Sequence, residues 1–279
     1  MRRPLLVANW KMNKTIRETL AFVGEFIPEA LSIIGSECGE QAAEVVTEAG
    51  GGKGETWPEV VICPPFTSIP AISAALAPYP VGVGAQDLFW AEKGAYTGEV
   101  SGTMLKDAGC SYVIVGHSER RHILGESDEW ARKKVRAALD AGLRPILCVG
   151  ETLQEREAEL THKVCETMTR EGLGAVKPEE VGLVTIAYEP VWAIGTGKEA
   201  RGEDARDVVI KIRSVVDGMF GEGSAEAMRV LYGGSVKAAN IRQFVSYPEI
   251  DGALVGGASL DPLEFARIAL EIKKGRARA

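Results

Sequence analysis

The stretch Val184–Pro190, with the sequence VTIAYEP, is a short apolar run that ends in a carboxylate and a proline. Its β-branched and apolar residues predict a buried strand, and Pro190 prevents further ladder pairing. Gly195 and Gly197 then supply the backbone freedom that a closing loop requires. If such a loop covers Glu189, loss of water raises the pKa of this carboxylate and makes it a stronger base. On this stretch alone, a base beneath a lid and an exposed glutamate before a surface turn are equally consistent.

Similar apolar runs alternate with longer amphipathic segments along the whole chain. The alternation predicts parallel strands near residues 5–10, 59–63, 81–85, 112–116, 144–149, 183–188, 228–232 and 252–256. Helices are predicted near residues 15–34, 67–77, 102–108, 128–141, 152–170, 203–219, 237–245 and 261–274. Eight strands, each followed by a helix, favour a closed (β/α)8 barrel over an open sheet, because closure leaves no strand edge exposed. We therefore expect residues 1–279 to form a single α/β barrel domain.

Composition and charge exclude several classes of function. Of the 279 residues, 46% are hydrophobic and 25% are charged, as in ordinary globular proteins. The net charge of -7 argues against a general nucleic-acid binder, so an anionic ligand would need a local site with a lysine and helix N-termini. Five cysteines without C-x-x-C spacing fit reduced, buried thiols in a cytoplasmic protein. Residues 60–86 carry no charge, but their prolines exclude a continuous membrane-spanning helix.

Two segments interrupt or end the alternation. Residues 35–57 are rich in glycine and predict an insertion or connector on the barrel face opposite the strand C-termini. The basic residues 273–278 predict a frayed, solvated tail.

In a parallel barrel, the residues that follow the strands converge on one mouth. Taken alone, Lys11 is better interpreted as a surface lysine, and the glycine pairs after the last two strands as tight turns. Their common position at the mouth instead indicates a base, an acid, a cation and an anion cradle in one site. Of the three histidines, only His117 ends a strand. The candidate residues are Asn9, Lys11, His117, Glu189, Ser235, Gly256 and Gly257.

Common cofactor motifs are absent from the sequence. Gly197-Lys198 does not belong to a P-loop, because Trp192 stands where the first glycine is needed and Glu199 where a serine or threonine would hold magnesium. With few histidines and no paired cysteines, the sequence predicts no metal site.

Four motifs carry a resemblance to a known family: Ala8–Asn13 (ANWKMN), Gly116–Arg121 (GHSERR), Tyr188–Trp192 (YEPVW) and Tyr232–Ser235 (YGGS). In their order and spacing the chain resembles the triosephosphate isomerases, and the match covers nearly all of it. The resemblance implies that the chain interconverts glyceraldehyde 3-phosphate and dihydroxyacetone phosphate in glycolysis and gluconeogenesis, without a cofactor.

The same resemblance implies roles for individual residues. Glu189 would shuttle a proton between adjacent carbons, His117 would act as a neutral electrophile, and Lys11 with Asn9 would stabilise the enediolate. The residues implied to hold the phosphate are Gly195, Ser235, Gly256 and Gly257. Thr97 and Glu99 match the family's dimer loop, which implies a homodimer. From charge and composition we expect no nucleic-acid or membrane partner.

Two other functions are compatible with the sequence. An isomerase of a four-carbon ketose phosphate would use the same proton chemistry, although the intact Gly195-Thr196-Gly197 favours the triose. A catalytically silent scaffold would be free to lose Glu189, His117 or Lys11, yet all three are present. Glu199 stands in the C-terminal lid hinge where the family usually has a small or β-branched residue, so its effect on lid kinetics is open.

Overall fold

A computed structural model describes residues 2–38, 57–194 and 200–277, and its strands form one closed parallel barrel. The strands are β1 (Leu5–Asn9), β2 (Glu59–Cys63), β3 (Val81–Ala85), β4 (Tyr112–Val115), β5 (Arg144–Val149), β6 (Thr185–Tyr188), β7 (Arg229–Tyr232) and β8 (Gly252–Val255). Each strand pairs with the next, and β1 closes the ring by pairing with β8. The predicted (β/α)8 barrel is confirmed.

Helices surround the barrel between successive strands. They are α1 (Ile16–Cys38), α2 (Ile69–Leu76), α3 (Gly102–Asp107), α4 (Ser118–His122), α5 (Asp128–Asp140), α6 (Leu153–Glu157), α7 (Thr161–Leu173), α8 (Gly202–Phe220), α9 (Arg242–Val245) and α10 (Pro262–Arg276). The predicted helix 152–170 is two helices, because Glu159 between them has a φ of 58° and cannot continue the first one. Only the last turn of the predicted helix 237–245 is α-helical.

The glycine-rich break begins later than predicted. α1 continues through Gly35 to Cys38, so the predicted start of the insertion at residue 35 is wrong. Residues 39–56 lie outside the described part of the chain, and the rest of that prediction remains a prediction.

The core has two layers because successive strand residues point to opposite sides of the sheet. One side fills the barrel interior, and the other packs under the helices. The interior residues are Leu5, Val7, Val61, Cys63, Tyr112, Ile114, Ile146, Cys148, Ala187, Leu231 and Leu254. Since both sides of each strand are buried, the strands appear in the sequence as continuous apolar runs. Four cysteines are buried free thiols, and burial raises the pKa of Cys110 to about 12.

The long helix α1 is apolar enough to cross a membrane by length and composition alone. In the structure, however, Phe22, Val23 and Phe26 are buried in the core against the barrel. Packing against the barrel therefore accounts for part of its apolar character, while Leu20 and Leu31 are exposed.

Asp251 connects the two ends of the described chain. Its buried carboxylate accepts bonds from Arg2 (2.8 Å), Arg213 (2.6 Å) and Arg276 (3.1 Å), and from the backbone N–H of Val230 (2.9 Å). The bond from Val230 lies between β7 and β8, which pair with each other through a single pair of residues, Tyr232 and Ala253. The predicted solvated tail is therefore wrong at Arg276, which is held by a buried carboxylate from a distant part of the sequence.

Candidate active site

The carboxyl ends of the strands enclose a cleft of about 500 Å³. All the predicted site residues except Gly195 line it, and Gly195 lies outside the described residues. The predicted residues at the cleft are Asn9, Lys11, His117, Glu189, Ser235, Gly256 and Gly257. They lie at or just after the carboxyl ends of β1, β4, β6, β7 and β8, so their meeting here is a consequence of the fold.

Glu189 follows β6 directly and is 2% exposed. Its backbone N–H extends the ladder by donating to the carbonyl of Val149 at 2.8 Å, which fixes the start of the side chain. The carboxylate then accepts a bond from the backbone N–H of Ser118 at 3.0 Å and lies 2.9 Å from His117 Nε2. The base candidate is thus buried and held at both oxygens.

His117 lies between β4 and α4 and is 5% exposed. Its Nδ1 accepts a bond from the backbone N–H of Glu119 at 3.2 Å, as an N-terminal cap of the short helix. A ring nitrogen that accepts a bond carries no proton, so the neutral imidazole has its proton on Nε2 and donates it towards Glu189.

Burial and the His117–Glu189 contact act in opposite directions on the pKa values of this pair. Burial disfavours the charged form of His117, but the carboxylates of Glu189 and Glu119 outweigh it and raise the pKa of the imidazole. Burial likewise tends to raise the pKa of Glu189, but His117, the Ser118 N–H and Lys11 lower it below its ordinary value. The pKa of Glu189 in this ligand-free site is therefore below its ordinary value, because the carboxylate already has partners that favour its charged form. The rise expected on closure of the loop remains a prediction, since residues 195–199 lie outside the described residues.

Lys11 reaches the cleft from a loop with unusual backbone geometry. Its φ is 52°, a region that residues with side chains rarely adopt. Its backbone N–H donates to Asn9 Oδ1 at 3.1 Å, and its carbonyl accepts from Gln86 Nε2 at 2.8 Å. The ammonium lies 2.6 Å from a carboxylate oxygen of Glu119 at the cleft.

Glycines form the side of the cleft beneath the Lys11 side chain. A Cβ added at Gly256 would lie 3.4 Å from Lys11 Cε, whereas one at Gly257 would meet no atom within 4 Å. Backbone N–H groups in such open positions can approach an anion. Across the cleft, Asn240 Nδ2 donates to the Ser235 carbonyl at 3.0 Å and holds the second part of this cradle.

Sequence reasoning missed Glu151, a fully buried carboxylate that anchors the residues around Glu189. It accepts bonds from Tyr188 Oη at 3.1 Å and from Trp192 Nε1 at 2.8 Å, on either side of Glu189 in the sequence. Arg156 stacks over the Trp192 ring at 4.3 Å. The signal was present, since Glu151 lies two residues after the end of β5, just as Lys11 lies two residues after the end of β1.

Two glycines allow the carboxylate to occupy its position. A Cβ at Gly150 would lie 1.8 Å from the Glu189 carbonyl oxygen, and one at Gly233 would lie 2.9 Å from Glu189 Cγ. Both distances are far below ordinary contact. Within residues 2–38, 57–194 and 200–277, no group of three or more His, Cys, Asp or Glu is arranged to hold a metal ion.

A closed (β/α)8 barrel with a buried carboxylate, an imidazole and an ammonium at the carboxyl end of its strands belongs to the barrel enzymes, whose active sites lie at that end. The model of the triosephosphate isomerase family matches residues 4–272. The chain therefore belongs to the triosephosphate isomerase family.

Curated relatives with that name match over nearly their full length. The triosephosphate isomerase of Symbiobacterium thermophilum is 47% identical over 278 residues, which cover 100% of both chains. The relative from Moorella thermoacetica is 49% identical over 268 residues, 96% of this chain and 98% of its own. The relative from Dictyoglomus thermophilum is 47% identical over 268 residues, 96% of this chain and 99% of its own.

Proposed function

We propose that this chain is a triosephosphate isomerase, an intramolecular aldose-ketose isomerase that interconverts D-glyceraldehyde 3-phosphate and dihydroxyacetone phosphate in glycolysis and gluconeogenesis. One observation carries the proposal for the site. The buried carboxylate of Glu189 lies 2.9 Å from Nε2 of a buried His117, in the cleft that Lys11 enters. A base, a donor and a cation in one cleft are what proton transfer next to a carbonyl group requires.

Glu189 takes the proton from the carbon next to the substrate carbonyl and returns it to the adjacent carbon, through an enediol(ate) intermediate. Substrate oxygens that enter between Glu189 and His117 break the contact that lowers the pKa of the carboxylate. Burial is then no longer offset by His117, so the pKa of Glu189 rises and the carboxylate becomes a stronger base. The site therefore activates its base when the substrate binds.

His117 donates its Nε2 proton to the substrate oxygens as a neutral imidazole, because its Nδ1 is occupied by the backbone N–H of Glu119. Lys11 places a positive charge near the oxygen on which negative charge develops, and Asn9 fixes the Lys11 backbone. Groups that are already oriented before the reaction stabilise this charge without reorganisation.

The substrate phosphate binds at Ser235, Gly256 and Gly257, with Gly195 contributing from the lid. Support comes from the open position at Gly257 and from the Lys11 side chain that runs over Gly256. Exclusion of water around this cradle suppresses loss of phosphate from the enediolate.

The active form is a homodimer. Large apolar side chains are exposed on the loops beside the cleft, among them Met12 (95%), Tyr96 (48%) and Ile123 (76%). Thr97 and Glu99 lie on the same exposed loop as Tyr96. Burial of such a surface against a second copy removes it from water.

Residues 1–279 form one domain of a cytoplasmic protein. Pairing of β1 with β8 supports the single domain, because both ends of the chain then belong to the same sheet. The buried free thiols support a reducing compartment.

A coupled assay of the purified protein tests the function. We expect rapid conversion of glyceraldehyde 3-phosphate to dihydroxyacetone phosphate without an added cofactor or metal, and much slower isomerisation of erythrulose phosphate. Preference for the four-carbon substrate would instead identify the related isomerase, and inactivity on both substrates would indicate a scaffold.

A further inference from the structure

We propose that Lys14 is a positioning residue for Lys11, because its ammonium fastens the loop Trp10–Thr15 to two aromatic rings of the core. The inference rests on the proposed function, in which Lys11 acts on the substrate. Lys14 lies outside the cleft lining and contacts none of the proposed catalytic groups directly.

The loop carries two residues in the left-handed backbone region. Lys11 has a φ of 52° and Lys14 a φ of 71°, and the only other non-glycine residue with a positive φ in the described ranges is Glu159. Residues with a Cβ adopt this region at a cost in free energy, so they remain there only when surrounding contacts hold them. The position of Lys11 at the cleft therefore depends on whatever holds this loop.

Hydrogen bonds fix the two ends of the loop. Near β1, Asn13 Nδ2 donates to the Trp10 carbonyl at 2.7 Å. Near α1, Glu18 accepts bonds from the backbone N–H and the hydroxyl of Thr15, both at 2.8 Å. Lys14 stands between these two anchors, where its own strained backbone requires a further contact.

The ammonium of Lys14 supplies that contact through two ring faces. Its Nζ lies 5.4 Å from the centroid of the Trp10 ring and 5.1 Å from that of Phe22. A lysine ammonium within about 6 Å of a ring centroid is attracted by the ring quadrupole. One cation therefore contacts two rings at once.

The two rings form a rigid support. Trp10 is fully buried, and its Nε1 donates to the Ser259 carbonyl at 3.0 Å. Phe22 packs edge-on against Trp10 with the ring centroids 4.8 Å apart. Because Trp10 immediately precedes Lys11, the support, the cation and the catalytic lysine belong to one continuous unit.

Without the ammonium, the strained φ of residue 14 has no compensating contact and the loop relaxes. Lys11 then leaves its position over Gly256 and beside Glu119. Since Lys11 acts on both the bound substrate and the developing charge, its displacement raises KM and also lowers kcat.

Steady-state kinetics of Lys14 variants test this inference. Lys14→Met removes the charge and keeps the length of the side chain. Because the attraction of the ammonium to two rings is lost, we expect KM to rise about 3- to 10-fold. Lys14→Arg restores a cation and should stay within about twofold of the wild type. Lys14→Gly also removes the charge but accepts the positive φ without strain, so its KM should rise less than that of Lys14→Met.

Two controls separate positioning from a general structural effect. Lys133→Met removes another lysine that lies over a ring, 5.4 Å from the Trp90 centroid and away from the cleft, and should leave KM unchanged. In a Lys11→Ala background, Lys14→Met should change KM no further, because it acts through Lys11.

An equal effect of Lys14→Met with and without Lys11, an unchanged KM in Lys14→Met, or a larger rise of KM in Lys14→Gly than in Lys14→Met overturns the inference. The same holds if the raised KM disappears on increasing the protein concentration, since the defect then lies in association of subunits. A wild-type protein inactive on triose phosphates overturns the proposed function itself, and unchanged kinetics of Lys11→Ala overturn the role of Lys11.

Discussion

Gly233→Ala adds a single methyl group beside the proposed catalytic carboxylate. The new Cβ would lie 2.9 Å from Glu189 Cγ and 3.2 Å from the Tyr188 carbonyl oxygen. The φ of Gly233 lies outside the left-handed region, so alanine adds no strain of that kind, and the shortest of the new contacts is the one with Glu189. The substitution therefore acts as a displacement of the base.

The size of the displacement follows from contact distances. Non-bonded carbon atoms rest about 3.5–4.0 Å apart, so Cγ must move by roughly 0.6–1.1 Å. A misplacement of about 1 Å costs about 100-fold in rate. We expect kcat to fall by about 100-fold, or about 2.7 kcal/mol in activation free energy, with little change in KM.

The isomerase assay should be run beside Gly218→Ala, the same substitution in helix α8 at a position where a Cβ meets no atom within 4 Å. This control should retain full activity and gain a little stability. If Gly233→Ala folds like the wild type and keeps kcat within about threefold, misplacement of Glu189 does not limit the rate, and the reasoning fails.

Three further changes test other parts of the structure. Glu189→Asp withdraws the base by one methylene and should lower kcat by at least about 100-fold, with KM within a few-fold of the wild type. A rise in KM with kcat unchanged would contradict the role of Glu189 as a base. The contact between Glu189 and His117 lowers the pKa of Glu189 and raises the pKa of His117. Its contribution to the free energy of unfolding is therefore largest between these two pKa values. It is lost when Glu189 is protonated in acid and when His117 is deprotonated in base. Melting temperatures of the wild type and Glu189→Gln should accordingly converge in acid and again in base, and a constant difference would exclude this linkage. Arg276→Ala should reduce the free energy of unfolding by about 2 kcal/mol without changing kcat, because Asp251 loses a buried partner. Lys274→Ala, which removes an ion pair at the surface, should cost at most about 1 kcal/mol, and equal losses in both variants would show that burial of Arg276 does not matter.

The strands and the site residues lie close to where the sequence predicts them, because local pattern and barrel topology determine both. Each strand is buried on two sides, so its apolar run is visible in the sequence, and β2, β3 and β5 have the predicted bounds. Parallel closure then brings the residue after every strand to the same end of the barrel. The same rule, extended to the second residue after β5, would have identified Glu151.

The failures concern contacts between residues that are distant in the sequence. A run of basic residues at the end of a chain resembles a solvated tail, but Arg276 is buried and donates a hydrogen bond to the buried carboxylate of Asp251. The pKa of Glu189 depends on His117, which lies 72 positions earlier, and no local pattern reports that contact. Glu159 carries no sign of its left-handed backbone, so the break between α6 and α7 was not visible either.

Closure of the ring through β1 and β8 has a consequence for synthesis of the protein on the ribosome. β1 is made first and presents an unpaired edge on one side until residues 252–255 have left the exit tunnel. An exposed edge on a growing chain invites pairing with other chains. Arg276 comes later still and bonds to both Asp251 and the Arg2 carbonyl, so helix α10 is attached to the start of the barrel only after β8 has been synthesised. The nascent chain thus presents this edge of β1 unpaired until the other seven strands have been synthesised.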